Sequence, residues 1–398
     1  MSGSAKERLH PVTYTLWFLL AAYGLALCGV GPSLVAIARD YRVPVGRTGV
    51  LFTGLFVGFT GAVLAAGYLA ERLGKKIVLL LGLLALAGGL LAFGLVPILG
   101  AFSLAVGAAF LIGIGGAMTE SVSSALLADL NPTRAAYVLN ISQGFFGVGA
   151  VLGPNFVGWL LSRGITWRVH FGLAAGLAAA LFLVLWAQRV PAEERRPVDW
   201  AALRRLIARP TLLLGIVGMA CYIGAEAGYS AWLSPFLQHE LGASARLAAQ
   251  AVGLYWLGMT IARFFSAWAA ESLGPELLVV ILALTTALTV VATSVATTVA
   301  AGLVLAAACG AAMSGIFASI LTSGSDHHPG QTAPVFSLIM ASIGVGGMSF
   351  PAGMGAIGDA VGLRWAMLLP AVLSLGLAAA MLRLRALRPA GRPAVTGE

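Results

Sequence analysis

Residues Gly113 to Gly158 read GIGGAMTESVSSALLADLNPTRAAYVLNISQGFFGVGAVLGPNFVG: an apolar helix, a short polar turn and a second apolar helix. Glu120 sits inside the first helix, Asn140 and Gln143 inside the second. Glu120 precedes Asp129, where the first helix leaves the apolar zone, by nine residues; Gln143 follows Arg134, where the second enters it, by nine. A helical hairpin therefore places the carboxyl and the carboxamide at similar depth. An ionisable group at that depth costs about 2.5–3.5 kcal/mol on insertion scales, so it is expected to face protein or water and not lipid. The pattern is that of a transport site.

Composition agrees. Of 398 residues 59% are hydrophobic and only 10% charged, and the mean hydropathy is +0.94. Soluble domains carry about 25% charged residues, so the chain reads as an all-α polytopic membrane protein. Apolar runs predict twelve transmembrane helices at about 13–37, 48–70, 76–96, 101–128, 135–161, 168–188, 211–237, 247–270, 276–296, 298–322, 332–357 and 363–382. One longer polar stretch, 189–210, holds three prolines and six arginines and divides the chain. The expected organisation is an N-terminal bundle (1–188), a cytoplasmic linker (189–210) and a C-terminal bundle with a basic tail (211–398). The N-terminus shows no cleavable leader pattern and reads as a cytoplasmic tail.

The basic residues orient it. With both termini inside, sixteen of the 24 Lys and Arg lie on the inner side and seven outside, with Arg263 inside a span. That bias is the one the positive-inside rule predicts. It accounts for the net charge of +9 as membrane orientation and lipid contact, so no nucleic-acid partner is expected. Cys28, Cys221 and Cys309 lie far apart in apolar segments and predict buried thiols, with neither a disulfide nor a metal site. No nucleophile–base pattern or phosphate loop points to an enzyme or to ATP drive. No cofactor is expected beyond a transported ion, and a monomer is expected.

The two halves repeat. Residues 58–76, GFTGAVLAAGYLAERLGKK, match 258–276, GMTIARFFSAWAAESLGPE, at an offset of 200. GVGAVLGP (147–154) matches GVGGMSFP (344–351) at an offset of 197. Laying Ala312-Met313 on Ala117-Met118 puts Gly315 opposite Glu120. A parallel six-plus-six repeat resembles the architecture of major facilitator transporters, two pseudo-symmetric six-helix bundles. The segment Gly67-x-x-x-Glu71-Arg72-x-Gly74-Lys75-Lys76 resembles that superfamily's loop signature after helix 2, with Glu for the usual Asp, and is expected to act in gating. A degenerate copy after helix 8 has Ala267 for the glycine and lacks the basic end.

A narrower resemblance is to the fucose permease-like branch, the sugar–proton symporters. It rests on Glu120-Ser-Val-Ser-Ser, Asn131-Pro132, Leu139-Asn140-x-x-Gln143-x-Phe145-x-x-x-Gly149 and Tyr222-x-Gly224-Ala225-Glu226. It implies proton-coupled sugar uptake across a bacterial inner membrane, with a Glu at the position of Glu120 in coupling and sugar binding. Where that branch has an Asp in helix 1, this chain has no acid between Trp17 and Arg39.

The residues themselves suit the role. Glu120 shares its neighbourhood with Thr119, Ser123 and Ser124, which predicts a polar, wet face on which a carboxyl can carry a proton. Asn140 and Gln143 offer donor–acceptor amides to hydroxyls, or else act as interhelical glue. Glu226, beside Tyr222, either meets a sugar ring or pairs with Arg263. Arg263, on one face with Trp256, can snorkel, pair with Glu226 or clamp an anion. Trp17, Tyr23, Trp232, Tyr255 and Phe336 are further possible cavity residues. Gly149 to Pro154 reads as a packing and bending device, and His327-His328 as a solvated loop. Proton-driven efflux of apolar or cationic compounds, sodium-coupled symport and a non-transporting receptor remain open beside sugar–proton import.

Overall fold

A computed structural model describes residues 9–96, 101–190, 206–207, 209–328 and 331–387. Most of the expected linker, 189–210, and the terminal basic residues Lys6, Arg8, Arg388 and Arg392 lie outside the described residues. Among the described residues there are sixteen α-helices and no strand. The first half contains α1 (Pro11–Cys28), α2 (Val30–Tyr41), α3 (Val50–Leu73), α4 (Lys75–Leu95), α5 (Phe102–Leu130), α6 (Ala135–Ser162) and α7 (Arg168–Ala187). The second contains α8 (Pro210–Glu240), α9 (Ala245–Leu273), α10 (Pro275–Ser294), α11 (Val299–Met313), α12 (Ile316–Asp326), α13 (Thr332–Ala341), α14 (Ile343–Val361), α15 (Leu363–Ala366) and α16 (Leu369–Ala386). Eleven of the helical segments are long and apolar enough to cross a membrane. The twelfth unit, α9, is long enough at 29 residues but is diluted by Gln250 and Arg263.

Four expected spans are broken. Span 1 breaks at Gly29, where the imidazole of His170 fills the space a side chain would take. Span 10 breaks at Ser314-Gly315, where the Ser314 and Ser266 hydroxyls bond at 2.6 Å. Spans 11 and 12 are interrupted at Ser342 and at Met367-Leu368. A uniform apolar run carries no signal for the breaks at Gly29 and Gly315, because each is met by a neighbour distant in sequence, His170 and Ser266.

Helices cross closely where glycines face each other. A Cβ on Gly58 would meet the Phe110 carbonyl at 2.1 Å, and one on Gly113 the Leu55 carbonyl at 1.9 Å, so α3 and α5 touch backbone to backbone. The second half repeats the device: Gly258 lies against the Ala307 carbonyl and Gly310 against that of Tyr255. Gly74 and Gly274, with φ of +86° and +79°, end α3 and α9 in the same way.

Each half is also clasped on the side away from the chain ends. Arg168 bonds Asp40 at 3.1 Å, and Arg364 bonds Glu240 at 3.1 Å. These pairs join the last turn of the first span to the first turn of the sixth, and the seventh to the twelfth. On the side of the chain ends, Lys75 pairs with Asp129, and Lys76 Nζ donates to the Trp186 and Gln188 carbonyls at 2.8 and 2.6 Å. The loop signature thus ties α4 to α5 and α7. Arg72 lies over Tyr68 at 4.5 Å, and Glu71 is half-buried. In the second half the corresponding place is taken by buried Glu276, which accepts from Ser323 Oγ at 2.8 Å and faces His327 Nδ1 at 3.8 Å. His327 and His328 are therefore buried, not solvated; His328 Nε2 bonds Thr211 at 3.1 Å.

The halves meet along α3–α14, α6–α9 and α2–α8. On the side away from the chain ends, Gly46 N–H donates to Asp359 Oδ1 (2.9 Å) and Thr53 Oγ1 to the Met348 carbonyl (2.8 Å). Gly31 there lies against Ser230 and Ala231. On the side of the chain ends the halves diverge, and Phe18, Leu64, Phe264 and Phe265 are 57%, 60%, 78% and 70% exposed.

Candidate functional site

Between the halves lies a cavity of about 1030 Å³, open mouth included. Its closed end is the contact of Gly31 with Ser230 and Ala231, so it opens toward the side of the chain ends. The lining draws on both halves. Glu120 enters from α5, Gln143 and Phe146 from α6, and Tyr23, Leu27 and Cys28 from α1. Tyr222, Glu226 and Ser230 come from α8, Trp256 and Arg263 from α9, and Phe317 from α12.

Six of the seven binding candidates read from the sequence thus meet in one cavity: Glu120, Gln143, Tyr222, Glu226, Trp256 and Arg263. The seventh, Asn140, is exposed one turn nearer the chain-end side and is not in the lining. The gating residues Gly67, Glu71, Arg72, Gly74, Lys75 and Lys76 stand apart from it at the α3–α4 turn.

Helix spacing explains the convergence. Tyr222, Glu226 and Ser230 recur every four residues on one face of α8, and Trp256 and Arg263, seven apart, share a face of α9. A second stripe, Phe52, Phe56 and Phe59, also lines the cavity from α3. Its i, i+4, i+7 spacing was present in the sequence but is indistinguishable there from ordinary packing. Tyr23 and Trp256 line the cavity, whereas four other aromatic candidates do not. Trp17 donates to the Val138 carbonyl (3.0 Å) and stacks on Phe145. Trp232 donates to the Pro351 carbonyl (2.8 Å), and Tyr255 bonds Met313 Sδ (3.0 Å). Phe336 lies outside the lining.

Two expectations are corrected. Thr119 and Ser123, expected on a wet face with Glu120, are fully buried against neighbouring helices and their hydroxyls have no partner. The helix curls Glu120 into the cavity and its neighbours away from it. Second, the matched crossings Gly58/Gly113 and Gly258/Gly310 set the local repeat offset at 197. Phe317, not Gly315, is then the counterpart of Glu120, and both line the cavity. Gly315 sits at the helix break against Ser266.

The site's electrostatics are unusual for a bilayer interior. Glu120, Glu226 and Arg263 lie within one another's field, and Tyr222 has its hydroxyl in hydrogen-bonding reach of Glu226. Among the described residues, however, Arg263 forms no ion pair with either acid. Its Nη2 lies 3.6 Å from Met259 Sδ, a weak acceptor. Of the two partners weighed for Glu226 from the sequence, the Arg263 ion pair is absent in this conformation. No cluster of three metal-ligating side chains occurs among the described residues.

Two repeated helical halves around a cavity that holds two carboxyls and a guanidinium are the architecture of a membrane carrier. The sequence model of the Major Facilitator Superfamily matches residues 16–236 and again 215–398. The chain belongs to the Major Facilitator Superfamily. It is 23% identical over 319 residues to a protein TsgA homologue of Erwinia tasmaniensis, covering 79% of each chain. A TsgA homologue of Yersinia enterocolitica is 21% identical over 334 residues, covering 82% of each. Among solved structures, the E. coli fucose:proton symporter FucP superposes with a TM-score of 0.66 at 19% identity, covering 95% of this chain and 99% of that one. A bacterial homologue of the human lysosomal transporter Spinster, inward-facing and unoccupied, superposes with a TM-score of 0.76 at 17% identity, covering 94% and 96%. At those identities the likeness is one of fold.

Proposed function

We propose that the protein imports a small hydroxylated solute, a sugar or a related polyol, in symport with protons across a bacterial cytoplasmic membrane. Both termini lie in the cytoplasm, and the cavity faces it in this conformation. The observation that carries this reading is the pair of carboxyls, Glu120 and Glu226, brought from opposite halves into one cavity beside Gln143 without an ion-pair partner. A carboxyl in a partly dry cavity that faces each side in turn can load a proton on one side and release it on the other. Gln143, Ser230 and Tyr222 supply neutral donors and acceptors for hydroxyls. The aromatic walls can cover the apolar faces of a sugar ring. Glu120 is the coupling acid in this reading, and the loop signature from Gly67 to Lys76 is part of the gate on the cytoplasmic side.

A second reading, extrusion of lipophilic cations, draws on the same aromatic walls and on two acids against one Arg. Arg263 weakens it, because its positive charge offsets one of the two acids that would attract a cation. Uptake into proteoliposomes under an imposed proton or sodium gradient separates the readings. Glu120→Gln is expected to keep binding and counterflow but to lose gradient-driven accumulation. Full accumulation by that variant removes Glu120 from coupling, and extrusion of a lipophilic cation with no solute uptake overturns the import reading.

A further inference from the structure

Two side chains of α9 that line the cavity, Arg263 and Trp256, carry poorly satisfied hydrogen-bond donors. The Met259 thioether is the hydrogen-bond partner of Arg263, and the indole Nε1–H of Trp256, a residue 6% exposed, is buried without one. A guanidinium without a counter-ion at mid-membrane is costly, and a buried N–H without an acceptor adds to that cost. The protein holds two carboxylates in the same cavity, yet neither takes up the guanidinium. The acids and the donors are thus kept apart, the acids on α5 and α8 and the donors on α9.

We infer that the solute supplies the missing anion: it is a small hydroxylated monocarboxylate of the sugar-acid class, its carboxylate held by Arg263 and its hydroxyls by Glu120, Gln143 and Glu226. This rests on the import reading above and narrows its substrate. A planar guanidinium takes a carboxylate through two parallel N–H···O bonds. Charge bookkeeping follows. With both acids ionised the cavity carries one surplus negative charge and repels an anion. Each proton taken up by Glu120 or Glu226 removes one repulsion, so proton binding and anion binding strengthen each other reciprocally. A neutral sugar can accept hydrogen bonds from Arg263 but brings it no counter-charge.

The test uses the full chain in proteoliposomes with an acidic exterior and matched probes: glucose and galactose against glucuronate, galacturonate and gluconate. At least one acid is expected to accumulate, with the neutral sugars competing about tenfold or more weakly. Arg263→Gln is expected to weaken binding of that acid about 10- to 100-fold. Arg263→Lys keeps the charge but loses the fork, and is expected to retain the preference for acids at reduced affinity. If Arg263→Gln does not fold, the wild-type probe series and Arg263→Lys still decide. Accumulation of neutral sugars equal to or better than that of the acids, or an equal effect of the variants on both, overturns the monocarboxylate inference and leaves proton-coupled sugar import standing. Accumulation of none of the probes under either gradient overturns the import reading, and this inference with it.

Discussion

Replacing Gly46 by alanine tests whether the seal on the side away from the chain ends is the moving part. A Cβ on Gly46 would lie 2.1 Å from the Gly355 carbonyl and 2.3 Å from Asp359 Cγ. Both neighbours belong to the opposite half, and Gly46 has no positive φ. The substitution therefore leaves its own half unstrained and clashes only while the seal is closed. A backbone carbonyl cannot rotate away, so α14 must withdraw from the Gly46–Gly49 turn. Overpacking of this kind costs about 1–3 kcal/mol. The lost Gly46–Asp359 hydrogen bond adds little, because Asp359 is solvent-exposed. A cost borne by one conformation alone shifts the equilibrium by about 5- to 150-fold toward the state open on that side. Spin labels at Ile165 and Val295, exposed positions on that side in opposite halves, read the shift as a longer distance by double electron–electron resonance. Gly353→Ala is the control, since a Cβ there meets nothing within 4 Å. An unchanged distance distribution together with a lowered melting temperature would refute the reasoning, because the cost would then fall on the fold as a whole.

Two further outcomes follow from the clasps within the halves. Arg364 serves Glu240 and the carbonyls of Ser294 and Ala296 at 2.9 and 3.1 Å, so Arg364→Met is expected to cost about 1–2 kcal/mol. Arg168→Met is expected to cost under about 1 kcal/mol, and melting temperatures in detergent should rank the variants in that order. His328, outside the spans, is held below the usual histidine value by burial, Arg209 and His327. A depressed folded value means that its stabilising contribution is present above the unfolded value near 6.5 and is lost as pH falls below it. The fall in melting temperature between pH 7.5 and 5.5 should be smaller in His328→Gln, and an unchanged pH dependence would show that His328 is not the sensor.

Much of the fold was legible because a bilayer leaves so few options. Spans must be helical, so apolar runs and charge bias were enough to give their number and order. The cavity was legible in its expensive residues, since Glu120, Glu226 and Arg263 are conspicuous in an apolar chain. The aromatic walls were not, because Phe52, Phe56 and Phe59 carry the same hydropathy whether they face lipid, protein or a cavity. The breaks at Gly29 and Gly315 depend on His170 and Ser266, which no local pattern connects to them. The burial of His327 and His328 was missed for a related reason. A polar dipeptide between spans reads as solvated unless its partners, Glu276 and Thr211, are known to pack over it.

The repeat separates what holds the fold from what serves the site. Where the halves agree, the residues are structural: Gly58 and Gly258 at the helix crossings, Gly74 and Gly274 at the turns, Asp40 and Glu240 in the clasps. Where the halves disagree, the residues line the cavity. Glu120 is matched by Phe317, Arg263 by Val63, Gln143 by Met340, and Glu226 by Leu27, each charged or amide group standing opposite an apolar one. Aromatic or apolar pairs such as Phe56 and Trp256, Phe52 and Val252, or Phe146 and Ile343 line the cavity at both related positions and form its walls. A group needed for packing is needed twice in a two-fold design, because both halves must fold by the same contacts. A group needed for an asymmetric solute is needed once. The carboxyls and the guanidinium obey the second rule, which is the physical argument for the proposal that they serve transport.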